Sequence, residues 1–253
     1  MYLELLFAIA IGVLSGLLNT LASGGSAVAL PLLITLGLAP AVANATNRLP
    51  IVFAYTAASI TFHKAGLFER GLVLRVLTPT LLGGALGAWL ADAVSVRNLT
   101  MVINVAVLVS LILLFTAIKK VLMRVFDEPS RYRWQEAVWL FLIGIWLGLI
   151  AIDGATYLLM VLILGMRLPL QKANAYKALV GVAVNAVAVV LFTRDGNMNW
   201  PLAGAMAVGS LLGGHLGAKA SLKPWAKIWT YRLLIVVMGF EVIHMGIRYW
   251  HGI

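Results

Sequence analysis

The stretch LNTLASGGSAVALPLL, Leu18–Leu33, sets Asn19, Thr20, Ser23 and Ser26 around Gly24 and Gly25 inside an otherwise apolar run. A shift of 130 residues carries Ser23-Gly24-Gly25-Ser26 onto Asp153-Gly154-Ala155-Thr156. Three chemistries fit such groups. A helix that restarts after a glycine-rich break offers free N–H groups and the positive end of its dipole, which suits an anion. Restarts are expected after Ser26 and after Thr156, with a hydroxyl at each equivalent first-turn position. Asp153 is a carboxylate inside an apolar run, a costly placement that marks a candidate coupling group able to take up a proton or to pair with Lys177 or Arg48. It serves equally as an N-cap for the helix that restarts at Gly154. Ser23 or Ser26 could be the nucleophile of an intramembrane serine protease. A rhomboid-like enzyme would show Gly-x-Ser-Gly, whereas the text here is Leu21-Ala22-Ser23-Gly24, and Thr156 would have no reason to mirror a nucleophile.

A second set follows each break. Asn44, Thr46 and Asn47, and at the same shift Asn174, Tyr176 and Lys177, open the next helices. Thr46, Asn47, Tyr176 and Lys177 could bring hydrogen-bond donors to the cavity between the breaks, while Asn44 and Asn174 read as caps at the membrane surface. Arg48 lies just inside an apolar helix at its outer end. There it either holds an anion by fork-like hydrogen bonding or snorkels to headgroups.

The elements that must position these residues are membrane spans. The chain has 253 residues, 62% hydrophobic and 11% charged, with a mean hydropathy of +0.99. A soluble domain carries roughly a quarter charged residues. Apolar stretches at Val76–Ala91, Leu99–Ile118, Ala137–Ile152, Ala178–Phe192, Pro201–Ala218 and Ile228–Ile247 approach the ~20 residues that cross a bilayer. No Lys or Arg precedes Arg48, so the first stretch does not read as a cleaved signal. Zero cysteines exclude disulfides and thiolate metal sites, and neither cofactor nor metal is expected. The net charge of +10 comes without a basic block interleaved with aromatics, so nucleic acid is not the partner. The basic residues fit inner loops facing anionic lipid headgroups.

The chain repeats itself. LLGGALGA at Leu81–Ala88 recurs as LLGGHLGA at Leu211–Ala218, and Ala43–Ala45 recurs at Ala173–Ala175, both at 130. Gly12-x3-Gly16 meets Gly144-x3-Gly148 with a slip of two. The division is a first membrane repeat at 1–118, a polar cytoplasmic linker at 119–135 and a second repeat at 136–253. If each broken segment turns back to the side it entered from, a half is a hairpin plus three spans, and the second half is inverted. The inner loops then hold 15 Lys and Arg against 4 outside (Arg48, Arg97, Arg194, Arg248); single crossings would give 10 against 9. The positive-inside rule selects the inverted arrangement, with both termini outside. Arms of about 21 Å and 18 Å, from Leu5–Leu18 and Ala27–Leu38, need not cross the whole ~30 Å core, so the two tips could meet near the midplane. Paired broken helices in inverted halves point to a transporter binding site.

Glycines 83, 84, 87, 209, 213, 214 and 217 form small-x3-small stripes suited to close helix contact. His215 reads as a hydrogen-bonded core residue, Glu241 and His244 as a mutual pair, and Trp134, Trp200, Trp225, Trp229 and Trp250 as an interfacial belt.

The run GVLSGLLNTLASGGSAVALPLLITLGLAPAVANATNRL resembles the N-terminal signature of the sulfite exporter TauE/SafE family of bacterial and archaeal permeases: a Gly-x3-Gly helix, a glycine pair with Ser, a Pro, and an Ala-Thr-Asn triplet at Ala45–Asn47. The resemblance covers nearly the whole chain. It implies a multi-pass cell-membrane permease of sulfite, sulfonates or related sulfur oxyanions. The second copy departs from the pattern with Asp153 and with Ala175-Tyr176-Lys177, so its site is not purely anion-binding. The expectation is therefore an all-α transporter of small anions, working by alternating access between the breaks with a proton or another coupling ion. The alternative is an anion channel, and the protease is the remoter one.

Overall fold

The computed structural model of the chain describes residues 2–90, 132–150, 154–194, 196, 198–233, 235–236 and 239. Its elements are α1 (Tyr2–Ala22), α2 (Gly25–Thr35), α3 (Pro40–Lys64), α4 (Arg70–Leu90), α5 (Trp134–Leu149), α6 (Gly154–Met160) running into a π-helical turn (Val161–Gly165), α7 (Leu170–Arg194) and α8 (Trp200–Ser221). No strand occurs among the described residues. Leu3–Ala22, Arg70–Leu90 and Leu170–Arg194 are long and apolar enough to cross a bilayer. Large apolar side chains on their flanks face outward, among them Leu3, Leu6, Leu74, Leu82 and Trp89, which a protein in water rarely tolerates as a continuous surface. This is an all-α membrane protein. Trp134, Trp200, Trp225 and Trp229 are exposed, as a lipid-facing belt requires. Leu99–Ile118, the 119–131 part of the linker, Asp153, Glu241, His244 and Trp250 lie outside the described residues.

The helices restart earlier than the sequence implied. α2 begins at Gly25 and α6 at Gly154, so Ser26 and Thr156 fall inside first turns instead of preceding them. The first arm is also longer: the 21 residues of α1 span about 31 Å, close to the hydrocarbon thickness.

The Gly-rich helices are the packing seams. Gly83 and Gly87 of α4 lie against the carbonyls of Phe141 and Ile145 on α5, and Gly213 and Gly217 of α8 against those of Val13 and Leu17 on α1. A methyl group at any of these sites would collide with backbone, so only glycine lets the helices approach this closely. The same contacts correct the register. They match Val13 with Phe141 and Leu17 with Ile145, a shift of 128, while the Gly-rich helices keep 130. Gly16, not Gly12, is therefore the counterpart of Gly144: Gly16 rests on Ser210 and Gly144 on Thr80. His215 shares a 2.9 Å hydrogen bond with Thr61 Oγ1, as a core histidine does.

Candidate functional site

At the first break α1 ends on Ala22, and Ser23 adopts φ +63°, the left-handed region that non-glycine residues seldom enter. Gly24 follows, and α2 restarts at Gly25. Asn19 reaches forward from the last turn of α1, and its Oδ1 accepts the Gly25 N–H at 3.0 Å. The end of one helix thus caps the start of the next. Across the break comes Lys177 from α7. Its Nζ donates to Asn19 O at 2.9 Å, Thr20 O at 2.9 Å and Ser23 Oγ at 3.1 Å. Tyr55 Oη donates to Asn19 O at 3.2 Å, and Asn47 Nδ2 to Ser26 Oγ at 3.1 Å.

At the second break α5 ends on Leu149. Here the cation is Arg48, from α3. Its Nη1 donates to Leu147 O at 2.6 Å and to Asn185 Oδ1 at 3.1 Å, and its Nη2 to Gly148 O at 3.1 Å. Its guanidinium lies 5.6 Å from the Phe192 ring centroid. At the shift of 128, Leu147 and Gly148 are the counterparts of Asn19 and Thr20. Each post-break helix therefore holds the last carbonyls of the opposite half's first arm with a buried cation. Those carbonyls carry the negative end of the helix dipole, and Asn19 O also accepts the Ser23 N–H at 3.2 Å.

Both cations line one narrow cavity of about 20 Å³, together with Asn19, Ser23, Ser26, Tyr55, Leu147 and Asn185. Arg48 is 0% and Lys177 1% exposed. No carboxylate occurs among the described residues of the lining. Two buried positive charges, hydroxyls, amides and the N-terminus of α2 together favour an anion.

Of the residues selected from the sequence, Ser23, Ser26 and Lys177 line this cavity, Gly24 and Gly25 form its first break, and Asn47 holds Ser26. Gly154 and Thr156 are buried in the start of α6 behind it. Thr46 and Tyr176 are elsewhere. Thr46 Oγ1 accepts the Asn199 N–H at 3.0 Å, and Tyr176 Oη accepts the Glu69 N–H at 3.0 Å. The two bonds are the same contact seen from each half, since 46 and 69 plus 130 give 176 and 199. The cap reading of Asn44 and Asn174 fails on position: both are five residues into their helices, and Asn174 is fully buried with neither amide atom partnered.

Sequence reasoning named Asn19 only as a polar flank of the first break, left out Tyr55 and Asn185, and left Arg48 undecided. Signals existed. Arg48 is about 12 Å along α3 from Pro40, too deep for easy snorkelling. Tyr55 and Asn185 are a matched pair at 130 in otherwise apolar runs.

A family model described as "Sulfite exporter TauE/SafE" matches residues 8–245. A "Probable membrane transporter protein" of Haemophilus influenzae is 28% identical, covering 94% of this chain and 91% of its own. "Probable membrane transporter protein YfcA" of Escherichia coli K12 is 25% identical (96% and 92%), and "Probable membrane transporter protein YunE" of Bacillus subtilis 24% (94% and 97%). No solved structure matches the chain.

Proposed function

The chain belongs to the sulfite exporter TauE/SafE family, and from that premise we propose that it carries small anions, sulfite or a related sulfur oxyanion or sulfonate, by alternating access at the cavity between the two breaks. It is a membrane transporter and not an enzyme. The observation that carries the anion reading is the pair of buried cations, one from each half, on a single cavity free of described carboxylates. Ser23, Ser26, Asn19 and Asn185 supply the hydrogen bonds that orient an oxyanion, and Gly24, Gly25 and Asn47 keep those groups in place.

The mechanism needs two halves that rock against each other. We assign them to 1–118 and 136–253, inverted and joined by a cytoplasmic linker at 119–135, in the cell membrane. Several contacts support the inversion. Lys172 and Glu69 pair at 2.6 Å, Gln171 donates to Leu222 O, and Tyr132 donates to Arg75 O. Contacts among residues 64–75, 132, 167–172 and 219–223 are those expected on one membrane face when the second half is inverted. With Arg48 and Lys177 buried at the site, the charge split becomes 14 to 3. The Tyr176–Glu69 bond then closes the inner end and the Thr46–Asn199 bond the outer end, and alternating access opens one at a time.

Asp153 keeps its assignment as the proton-coupling group on sequence position alone. Asp153→Asn should still exchange substrate but lose accumulation driven by a pH gradient; full pH-driven transport would reduce it to a helix cap. For the function itself, the purified protein should gain thermal stability with sulfite, and with thiosulfate or small sulfonates, but not with equal ionic strength of chloride. Lys177→Met should lose that gain. Unitary currents in a planar bilayer would make it a channel.

A further inference from the structure

Resting on the anion-carrier reading and the inverted arrangement above, we propose that Asn174 is a second hydrogen-bonding station for the carried anion, on the cytoplasmic side of the cavity and about one turn of α7 before Lys177. The observation behind it is an orphaned amide. Asn174 is 0% exposed, and neither its Nδ2 nor its Oδ1 has a partner. The orphaned atoms of Arg48 and Asn47, Nε and Oδ1, belong to side chains that bond through their other nitrogens. Among the described residues, Asn174 alone holds two such atoms. A buried amide with nothing to bond lowers stability where an apolar residue of the same size would not. Asparagine is also a poor choice inside a helix. Nor does the fold demand it. Asn185, farther along α7, returns its Nδ2 to Gly181 O at 2.8 Å, and the counterpart in the first half, Asn44, is only half-buried.

Its place in the helix says what it could bind. Gly181 and Asn185 follow Asn174 by seven and eleven residues, which at about 100° per residue returns to the same face within about 20°. Lys177 follows by three, on an adjoining part of that face. All three later residues line the cavity. Asn174 therefore prolongs the cavity-lining stripe by about 4.5 Å toward the N-terminal end of α7. At that end Lys172, its side chain 35% exposed, pairs with Glu69. An anion travelling between the inner surface and the two cations passes along this stripe. An amide suits such a passage. Its two N–H donors hold an oxyanion, yet it carries no charge to detain it, unlike Lys177 and Arg48. Its carbonyl accepts from the O–H of a protonated oxyanion or of a water that moves with it.

The test is uptake of labelled sulfite by membrane vesicles of both orientations that contain the full-length protein, in alkaline buffer so that neutral sulfur dioxide does not leak. Vesicles without the protein give the background. Inside-out vesicles read entry from the inner side, and right-side-out vesicles read entry from the outer side. Asn174→Leu removes the amide at nearly constant size. It should raise KM for inner-side entry about fivefold, the loss of one hydrogen bond, and leave outer-side KM within about twofold. The Tm of the purified variant should not fall, because the amide makes no bond within the protein. An unchanged inner-side KM would overturn the proposal, and the anion-carrier reading would stand if Lys177→Met still lost uptake. Equal rises from both sides would overturn it too, since the amide would then act through the central cavity. If Asn174→Leu does not insert, the isosteric pair Asn174→Thr and Asn174→Val decides. Valine should show an inner-side KM about threefold or more above threonine, and equal values would overturn the station. No saturable sulfite uptake by the unaltered protein from either side would overturn the sulfite-carrier reading and this proposal together.

Discussion

Among the described residues, the surroundings of the two breaks differ in chemistry. At the first, every flank carries a polar group: the Asn19 amide, the Ser23 and Ser26 hydroxyls, Asn47 and the Tyr55 phenol. At the second, the counterpart of Asn19 is Leu147, and Ala155 and Leu158 complete an apolar wall with Asn185 as its described polar side chain. The cations follow their surroundings. An ammonium rotates its donors onto scattered acceptors, including a hydroxyl. A guanidinium spans two successive carbonyls with a planar fork and tolerates an aromatic neighbour, here Phe192. A cation grips the helix end at each break, and among the described residues the hydroxyls and amides that can read the shape of an oxyanion are concentrated at the first.

The largest effects should come from removing either charge. Arg48→Met and Lys177→Met each strand carbonyls and remove half the site's positive charge, and uptake of labelled sulfite should fall about 100-fold or more. The comparison sharpens with charge-preserving changes. Arg48→Lys loses the fork across Leu147 and Gly148 and should cost about tenfold. Ser26→Ala, on the first break, should raise KM for sulfite while the fully apolar Leu158→Val on the second leaves KM within about twofold. Equal KM changes would end the assignment of recognition to the first break.

Next in size are the glycines at the two restarts. A methyl group on Gly25 would strike the Ser15 carbonyl and come 2.6 Å from the Asn19 side chain, the group that caps α2. At Gly154 the obstacles are the Leu147 side chain at 2.6 Å and the Trp146 ring at 2.9 Å, which can rotate. Gly25→Ala should lower Tm and abolish transport, whereas Gly154→Ala should keep roughly a third or more of activity, because rotamer changes typically cost about 1 kcal/mol or less. Detergent-solubilised Tm and flux measured side by side check the ranking.

Much of this was legible in the sequence, and its limits have physical causes. The break at Ser23–Ser26, the repeat and the glycine seams follow from local rules: apolar runs make spans, and glycine permits close backbone approach. The 128 register of the first arms was hidden because a shift of 132 matches both glycines of Gly-x3-Gly while 128 matches only Gly16 with Gly144; only the helix opposite decides it. Arg48 was readable as a buried cation by its depth in α3, yet its acceptors lie about 100 residues away on α5. Thr46 and Tyr176 were grouped with Asn47 and Lys177 by adjacency. On a helix, successive residues point about 100° apart, so neighbours in sequence serve the cavity and the clasp separately.

The smallest effect concerns those clasps, the mirror contacts Thr46–Asn199 and Tyr176–Glu69. They share a hydroxyl accepting a backbone N–H at 3.0 Å, but the Tyr176 end adds the Lys172–Glu69 ion pair and an edge-on contact with Phe68. The paired side chains are 35% and 54% exposed, so solvent screens them, and such a pair is worth about 1 kcal/mol at most. Breaking it with Glu69→Gln leaves the Glu69 backbone bond to Tyr176 in place. It should therefore change the transport rate by no more than about fivefold in dilute buffer, and the change should vanish in high salt, where exposed pairs are screened over a few ångströms. Thr46→Val, which deletes the acceptor at the other end, should shift the rate by a similar factor at every ionic strength, since no charge is lost. If Glu69→Gln behaved alike in dilute and concentrated salt, the ion pair would contribute nothing to holding that end closed, and the two clasps would differ only in their rings.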